Sequence, residues 1–235
     1  MIEVSSLTVR YGGVTSLDEL TVTFEAGICG LIGPNGAGKT TFFNVLSGFV
    51  RPASGSVRAF GDDVLKMAHF RRARWGMRRT FQTEQAIADL SVYDNVAMIT
   101  SPLRGVARRA DVLAAIDFVG LGALSAASVG SLSAGQRRLV EVARAMAGQP
   151  RLILLDEPAA GLPDAETAHL TSLLQAIPER TGALTILVDH DMSLVSAVCG
   201  TTAVLDFGKL IASGPTSSVL RDSRVMRAYL GTAEI

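Results

Sequence analysis

One nonapeptide constrains this chain more than any other. Gly33-Pro34-Asn35-Gly36-Ala37-Gly38-Lys39-Thr40-Thr41 stands between the apolar run Ile28-Cys29-Gly30-Leu31-Ile32 and helix-forming sequence from Thr40 to Leu46. A buried strand, a glycine-rich turn and a helix in that order fit the pattern G-x-x-x-x-G-K-[ST] in its required context. The glycines let backbone N–H groups converge on phosphate oxygens, and the helix start adds its positive dipole end. Lys39 is expected to reach the outer phosphates, Thr40 to offer its hydroxyl to Mg²⁺, and Thr41 to be a further donor to phosphate.

A second apolar run, Leu152-Ile153-Leu154-Leu155, ends in Asp156-Glu157. In a parallel sheet this pair emerges at the same carboxyl edge as the phosphate loop, where two acids need a cation or a proton to handle. Asp156 suits an outer-shell contact to Mg²⁺, and Glu157 suits polarisation of an attacking water. His190 follows a third run, Leu184-Thr185-Ile186-Leu187-Val188-Asp189, and is expected to face the γ-phosphate and orient the water. Gln82, after Arg79-Thr80-Phe81, can touch Mg²⁺ or water through its amide.

The remaining sequence is globular. Of 235 residues 48% are hydrophobic, and 22 basic residues balance 22 acidic ones, which excludes a disordered tail or a globally basic nucleic-acid binder. The longest apolar runs are far shorter than the roughly 20 residues of a membrane span, and Met1-Ile2-Glu3-Val4 opens no secretory signal, so a cytoplasmic location is expected. Cys29 and Cys199 lack metal or redox spacing and are expected to be small buried hydrophobes.

Alternation from Ile2 to Phe24 around Tyr11-Gly12-Gly13 predicts antiparallel strands. Between Glu84 and Gly130, Val112, Ala115, Ile116 and Val119 recur at helical spacing, with breaks at Gly105, Gly120 and Gly122. The expectation is one α/β domain over 1–235: a core at about 1–82 and 131–235 with a mainly parallel sheet and an antiparallel β edge, and an inserted helical lobe at about 83–130. The basic stretch Lys66 to Arg79 is expected to be a solvated helix face.

Leu132-Ser133-Ala134-Gly135-Gln136 resembles the signature motif of ABC-transporter ATPases, and the motifs in order extend that resemblance over nearly the whole chain. The resemblance implies a P-loop ABC ATPase cassette that uses ATP and Mg²⁺. It further implies that Ser133, Gly135 and Gln136 meet the γ-phosphate held by a second subunit, so that each site is shared in a homo- or heterodimer. Tyr11 matches the position that stacks on adenine, although it can also simply cap the β edge.

Arg79-Thr80-Phe81-Gln82, Glu157-Pro158-Ala159-Ala160-Gly161-Leu162, His190-Asp191-Met192 and Ala228-Tyr229-Leu230-Gly231 are similar to the ATPase subunits of branched-chain amino-acid importers and of urea and related importers. After Glu157, the usual Ser-Ala-Leu-Asp run is replaced by Ala160-Gly161-Leu162-Pro163, with Asp164 one step late. The resemblance implies a cytoplasmic subunit on the inner face of the membrane, bound to permease subunits and, through them, to a periplasmic or extracellular substrate-binding protein. No nucleic-acid partner is expected. The alternatives are a soluble ABC ATPase in nucleic-acid or ribosome handling, and the ATPase of an exporter or lipopolysaccharide extractor, to which Leu90-Ser91-Val92-Tyr93-Asp94-Asn95 is similar.

Overall fold

A computed structural model describes residues 1–100 and 109–230; Gly105 and Gly231 lie outside them. In chain order the elements begin with strands β1 (Ile2–Tyr11), β2 (Val14–Phe24) and β3 (Ile28–Ile32), helix α1 (Lys39–Ser47), strands β4 (Ser54–Ala59) and β5 (Asp62–Asp63), helix α2 (His69–Trp75) and strand β6 (Met77–Arg79). Helices α3 (Val92–Thr100), α4 (Arg109–Phe118) and α5 (Ala134–Met146) follow, then β7 (Leu152–Asp156), α6 (Asp164–Thr181), β8 (Leu184–Val188) and α7 (Met192–Val198). The chain closes with β9 (Thr201–Asp206), β10 (Lys209–Pro215), α8 (Thr216–Val219) and α9 (Ser223–Leu230).

Contacts divide the chain into two units, Met1–Arg72 with Leu184–Ile235, and Ala73–Ala183. The second takes in more than the lobe expected at 83–130, because α5 packs on α3 and α4 and also on β6 and α6, which groups those elements with the lobe helices.

In the first unit β1 and β2 form an antiparallel hairpin from Ile2↔Phe24 to Tyr11↔Val14, and β4 adds antiparallel to β1. Alternation along these strands buries Ile2, Val4, Leu17, Leu20, Val22 and Phe24. β3 lies between β8 and β9 and is parallel to both. With both faces covered, β3 and β8 are buried along their whole length, as continuous apolar runs in parallel sheets are. In the second unit β6 pairs in parallel with β7, from Met77↔Leu152 to Arg79↔Leu154.

The basic stretch departs from a solvated face. Lys66, Arg71 and Arg74 are exposed, but Arg72 and Arg78 are buried and the Arg79 side chain is only 7% exposed. The reason is the cluster of backbone carbonyls gathered where helices end, whose spare lone pairs a guanidinium can fill. Arg72 donates from Nη1 to Val45 O at 2.5 Å and Leu46 O at 2.6 Å at the end of α1, and from Nε to Met67 O at 3.0 Å. Arg78 donates to Ala73 O at 2.7 Å and Met77 O at 2.9 Å, and reaches Ala147 O, just past α5, at 3.3 Å. Burial lowers the Arg78 pKa to about 10. A charge count along the sequence could not separate these arginines from their solvated neighbours, since all carry the same head group.

Candidate active site

The sequence-predicted site residues fall in both units. In the first, the phosphate loop leaves the buried strand β3 at Gly33 and enters α1 at Lys39. Two of its glycines are required by space as well as by torsion. At Gly33, φ 149°, a Cβ would collide with Leu205 O; at Gly38, φ 103°, it would lie 2.6 Å from Ser16 O and 2.7 Å from Leu17 Cδ2. The loop is therefore pressed against β9 on one side and the start of β2 on the other, and only a backbone without side chains fits. Gly208 N–H donates to Ala37 O at 3.1 Å and Ser16 Oγ lies 2.7 Å from Thr41 Oγ1, which fixes the loop from outside.

The first ladder bond of α1 runs from Phe42 N–H to Gly38 O, so the N–H groups of Lys39, Thr40 and Thr41 precede the helical ladder. Asn35 and Gly36 at the loop tip and Thr40 are exposed, while Pro34 is half-buried and Ala37 buried. Lys39 is buried, and its Nζ donates back to Gly33 O at 2.6 Å and Pro34 O at 3.0 Å. The ammonium thus rests on the mouth of its own loop, where a phosphate anion would offer a charge-assisted alternative to two neutral carbonyls.

Tyr11 is 48% exposed and pairs with Val14, two residues before Ser16, so the hairpin end carrying the ring adjoins the loop. His190 is exposed just past β8, whose parallel pairing of Gly30 with Leu187 brings it to the edge where β3 gives way to Gly33. Asp189 and Asp191 shape that turn: Asp189 Oδ1 accepts from Asp191 N–H at 3.0 Å, and Asp191 Oδ1 caps α7 through Ser193 N–H at 2.8 Å.

In the second unit the last residue of β7 and the one after it each meet a side chain, from the end of β6 and from the segment that follows it respectively. Asp156, buried, takes Arg79 Nη2 on its Oδ2 at 3.0 Å, and Glu157 Oε2 takes Gln82 Nε2 at 3.0 Å. Gln82 is exposed, and its amide serves Glu157 here. Glu157 also holds φ 49°, a left-handed backbone that costs a non-glycine residue about 1–3 kcal/mol. Such strain is found where neighbouring structure over-determines a functional side chain.

Ser133 caps α5. Its Oγ accepts from Gln136 N–H at 3.1 Å while Gln136 Oε1 accepts from Ser133 N–H at 3.0 Å, a reciprocal capping box. Ser133 is exposed at the positive end of α5, whereas Gly135 is buried and a Cβ there would run into the Glu166 carboxylate on α6. Asp164 begins α6 and is exposed.

Two residues to which the sequence reading assigned no role of their own shape this unit. Arg79 was visible only as one charge among several and as the first residue of a motif. Asn95, fully buried, accepts from Ile87 N–H at 2.7 Å and donates to Ile87 O at 2.9 Å and Ser91 O at 3.0 Å, which pins the backbone of 87–91 and leaves the Ile87 side chain 43% exposed. An asparagine in a helix-length apolar stretch was the available signal.

Among the described residues no three His, Cys, Asp or Glu side chains cluster as a metal site. The candidate donors Thr40, Asp156 and Gln82 are all oxygen donors. Such a set suits Mg²⁺, a hard cation held by one or two protein oxygens, water and substrate phosphates.

Residues 17–160 match the ABC transporter family. The chain belongs to that family. It is 34% identical to the high-affinity branched-chain amino acid transport ATP-binding protein BraF of Pseudomonas aeruginosa, covering 99% of this chain and 98% of that one. It is also 34% identical to the lipopolysaccharide export system ATP-binding protein LptB of Escherichia coli, over 96% and 95%. The ADP conformation of MJ1267, an ATP-binding cassette of an ABC transporter, superposes with a TM-score of 0.87 at 24% identity over 98% of each chain, which shows the fold. MJ0796, a bacterial ABC transporter cassette whose structure is dimeric, superposes with a TM-score of 0.80 at 22% identity over 92% of this chain and 99% of that one. This ABC chain is an ATP-binding cassette of the class that hydrolyses ATP to power transport. No described helix of it is long and apolar enough to cross a membrane.

Proposed function

We propose that this cassette is the ATP-hydrolysing subunit of an importer of branched-chain amino acids or a related small polar solute, working as a pair of cassettes on the inner face of the membrane against permease subunits and a substrate-binding protein. The observation that carries this reading is the end-to-end similarity to BraF, in a chain whose phosphate loop and acidic strand end are intact. A second reading, the ATPase of a lipopolysaccharide-type exporter, is favoured by equal identity to LptB over slightly less of the chain.

In this reading the loop Gly33–Thr41 wraps the phosphates with its N–H groups, Lys39 exchanges its two carbonyl partners for phosphate oxygens, and Tyr11 packs on the adenine. Thr40, Asp156 and Gln82 would hold Mg²⁺, which when bound neutralises phosphate charge. Glu157, strained and held by Gln82, accepts a proton from the attacking water, and His190 orients that water. Ser133, Gly135 and Gln136 offer the start of α5 to the γ-phosphate bound by a second subunit.

Sharing of sites is tested with mixed dimers. Gly135→Asp in one subunit and Lys39→Ala in the other place both defects in one composite site and leave the second intact; both changes in one subunit put a defect in each. Only the first arrangement should close on ATP. Equal closure overturns the shared site. Because Glu166 lies against Gly135, Gly135→Asp is repeated with Glu166→Ala to separate packing from phosphate recognition. The membrane subunits that co-purify with the cassette distinguish importer from exporter.

A further inference from the structure

Asp156 is the carboxylate proposed above to face the metal, and it already has a cation. Arg79 Nη2 lies 3.0 Å from Asp156 Oδ2, and the two side chains are only 7% and 6% exposed. An exposed pair of this geometry would contribute little, but a buried pair is different. Losing one partner leaves an uncompensated charge in a poorly solvated place.

Nothing in the local fold lets Arg79 drift away. Pairing of Arg79 with Leu154 sets it two residues before Asp156 on the adjoining strand. Next to it, Thr80 N–H donates to Leu154 O at 2.9 Å, and Thr80 Oγ1 accepts from Asp156 N–H at 3.1 Å. The guanidinium also lies over the Phe81 ring, 4.7 Å from its centroid. Arg79, Thr80, Phe81 and Gln82 therefore run as one braced segment along the end of β7, with the first of them on Asp156 and the last on Glu157.

We infer that Arg79 is a positioning residue that acts as the built-in counter-ion of Asp156: it holds the carboxylate in place before nucleotide arrives and competes with the divalent cation for its charge. The inference rests on the nucleotide-site reading and adds to it a residue that sets metal affinity. Two cations sharing one buried carboxylate repel, so Arg79 weakens the hold on the metal and in return keeps the metal-free site folded. Metal uptake is then tied to the Gln82 segment, because any movement of that segment shifts Arg79 with it.

The test compares wild type with Arg79→Met, which keeps much of the apolar stem and removes the charge, and Arg79→Lys, which keeps the charge. Mn²⁺ is titrated into each protein with a non-hydrolysable ATP analogue, and free Mn²⁺ is read by electron paramagnetic resonance. Arg79→Met should half-saturate at about tenfold lower free Mn²⁺ than wild type, while Arg79→Lys should stay close to wild type. Without metal and nucleotide, Arg79→Met should melt at lower temperature, and the deficit should shrink when both are added. Should Arg79→Met fail to fold, Arg79→Gln carries the same expectation. Half-saturation equal to or weaker than wild type in a folded, uncharged variant overturns the inference, since a merely structural arginine would not tighten metal binding. Failure of the wild type itself to take up Mn²⁺ with the analogue overturns the nucleotide-site reading instead, and is told apart by occurring in all proteins alike.

Discussion

Replacing Glu157 by Gln separates the chemistry proposed for this residue from its place in the fold. The carboxylate accepts a hydrogen bond from Gln82 Nε2 at 3.0 Å, and a glutamine oxygen at the same point can accept it equally well. The left-handed backbone, φ 49°, costs Gln about what it costs Glu, so the change should leave the turn after β7 intact. What disappears is the ability to accept a proton. Positioned general bases contribute about 10²–10⁴ in rate, or about 3–5 kcal/mol of barrier. Phosphate release at saturating ATP should fall by that factor, while binding of a fluorescent ATP analogue stays within about twofold of wild type. In the proposed pair of cassettes hydrolysis would be the step that separates them, so an ATP-dependent dimer should accumulate on size-exclusion chromatography. Turnover within about threefold of wild type would refute the assignment of Glu157 as base, and loss of nucleotide binding would show that its carboxylate charge shapes the site.

Lys39→Ala should weaken ATP binding by about tenfold or more, measured by calorimetry, because a charge-assisted contact to phosphate is lost; unchanged affinity counts against the phosphate-loop reading. Asn95→Ala removes hydrogen bonds of 2.7, 2.9 and 3.0 Å, and a longer one of 3.4 Å to Leu90 O, from a fully buried position. At about 0.5–1.5 kcal/mol each, denaturant unfolding should show a loss of about 2–4 kcal/mol, and a loss below about 0.5 kcal/mol would mean the 87–91 backbone is held by other means. Ile87→Asp tests whether this exposed apolar side chain, five residues past Gln82, belongs to the surface that meets the permease: ATPase of the isolated cassette should stay near wild type while pull-down of the permease in detergent is abolished, since docking there would desolvate a charge. Retained pull-down places the docking surface elsewhere.

The sequence by itself determined the parts of this protein whose chemistry is local. A loop with positive-φ positions between a buried strand and a helix is written in Gly33, Gly36 and Gly38, and fully apolar runs such as Leu152–Leu155 have no solvent-facing residues and so had to become buried strands. The capping role of Ser133 and Gln136 likewise follows from a spacing of three residues. Partners brought from far along the chain were decided by tertiary structure. Arg79 and Asp156 are 77 positions apart, Gln82 and Glu157 are 75 apart, and only the parallel register of β6 and β7 makes them neighbours. Neighbouring positions on β6 also send Arg79 to a carboxylate and Arg78 to carbonyls at helix ends, while Arg72, of identical chemistry, reaches the end of α1 from helix α2. In the linear chain all three are equivalent charges; burial and the acceptors within reach, properties of the folded neighbourhood alone, give each its separate task.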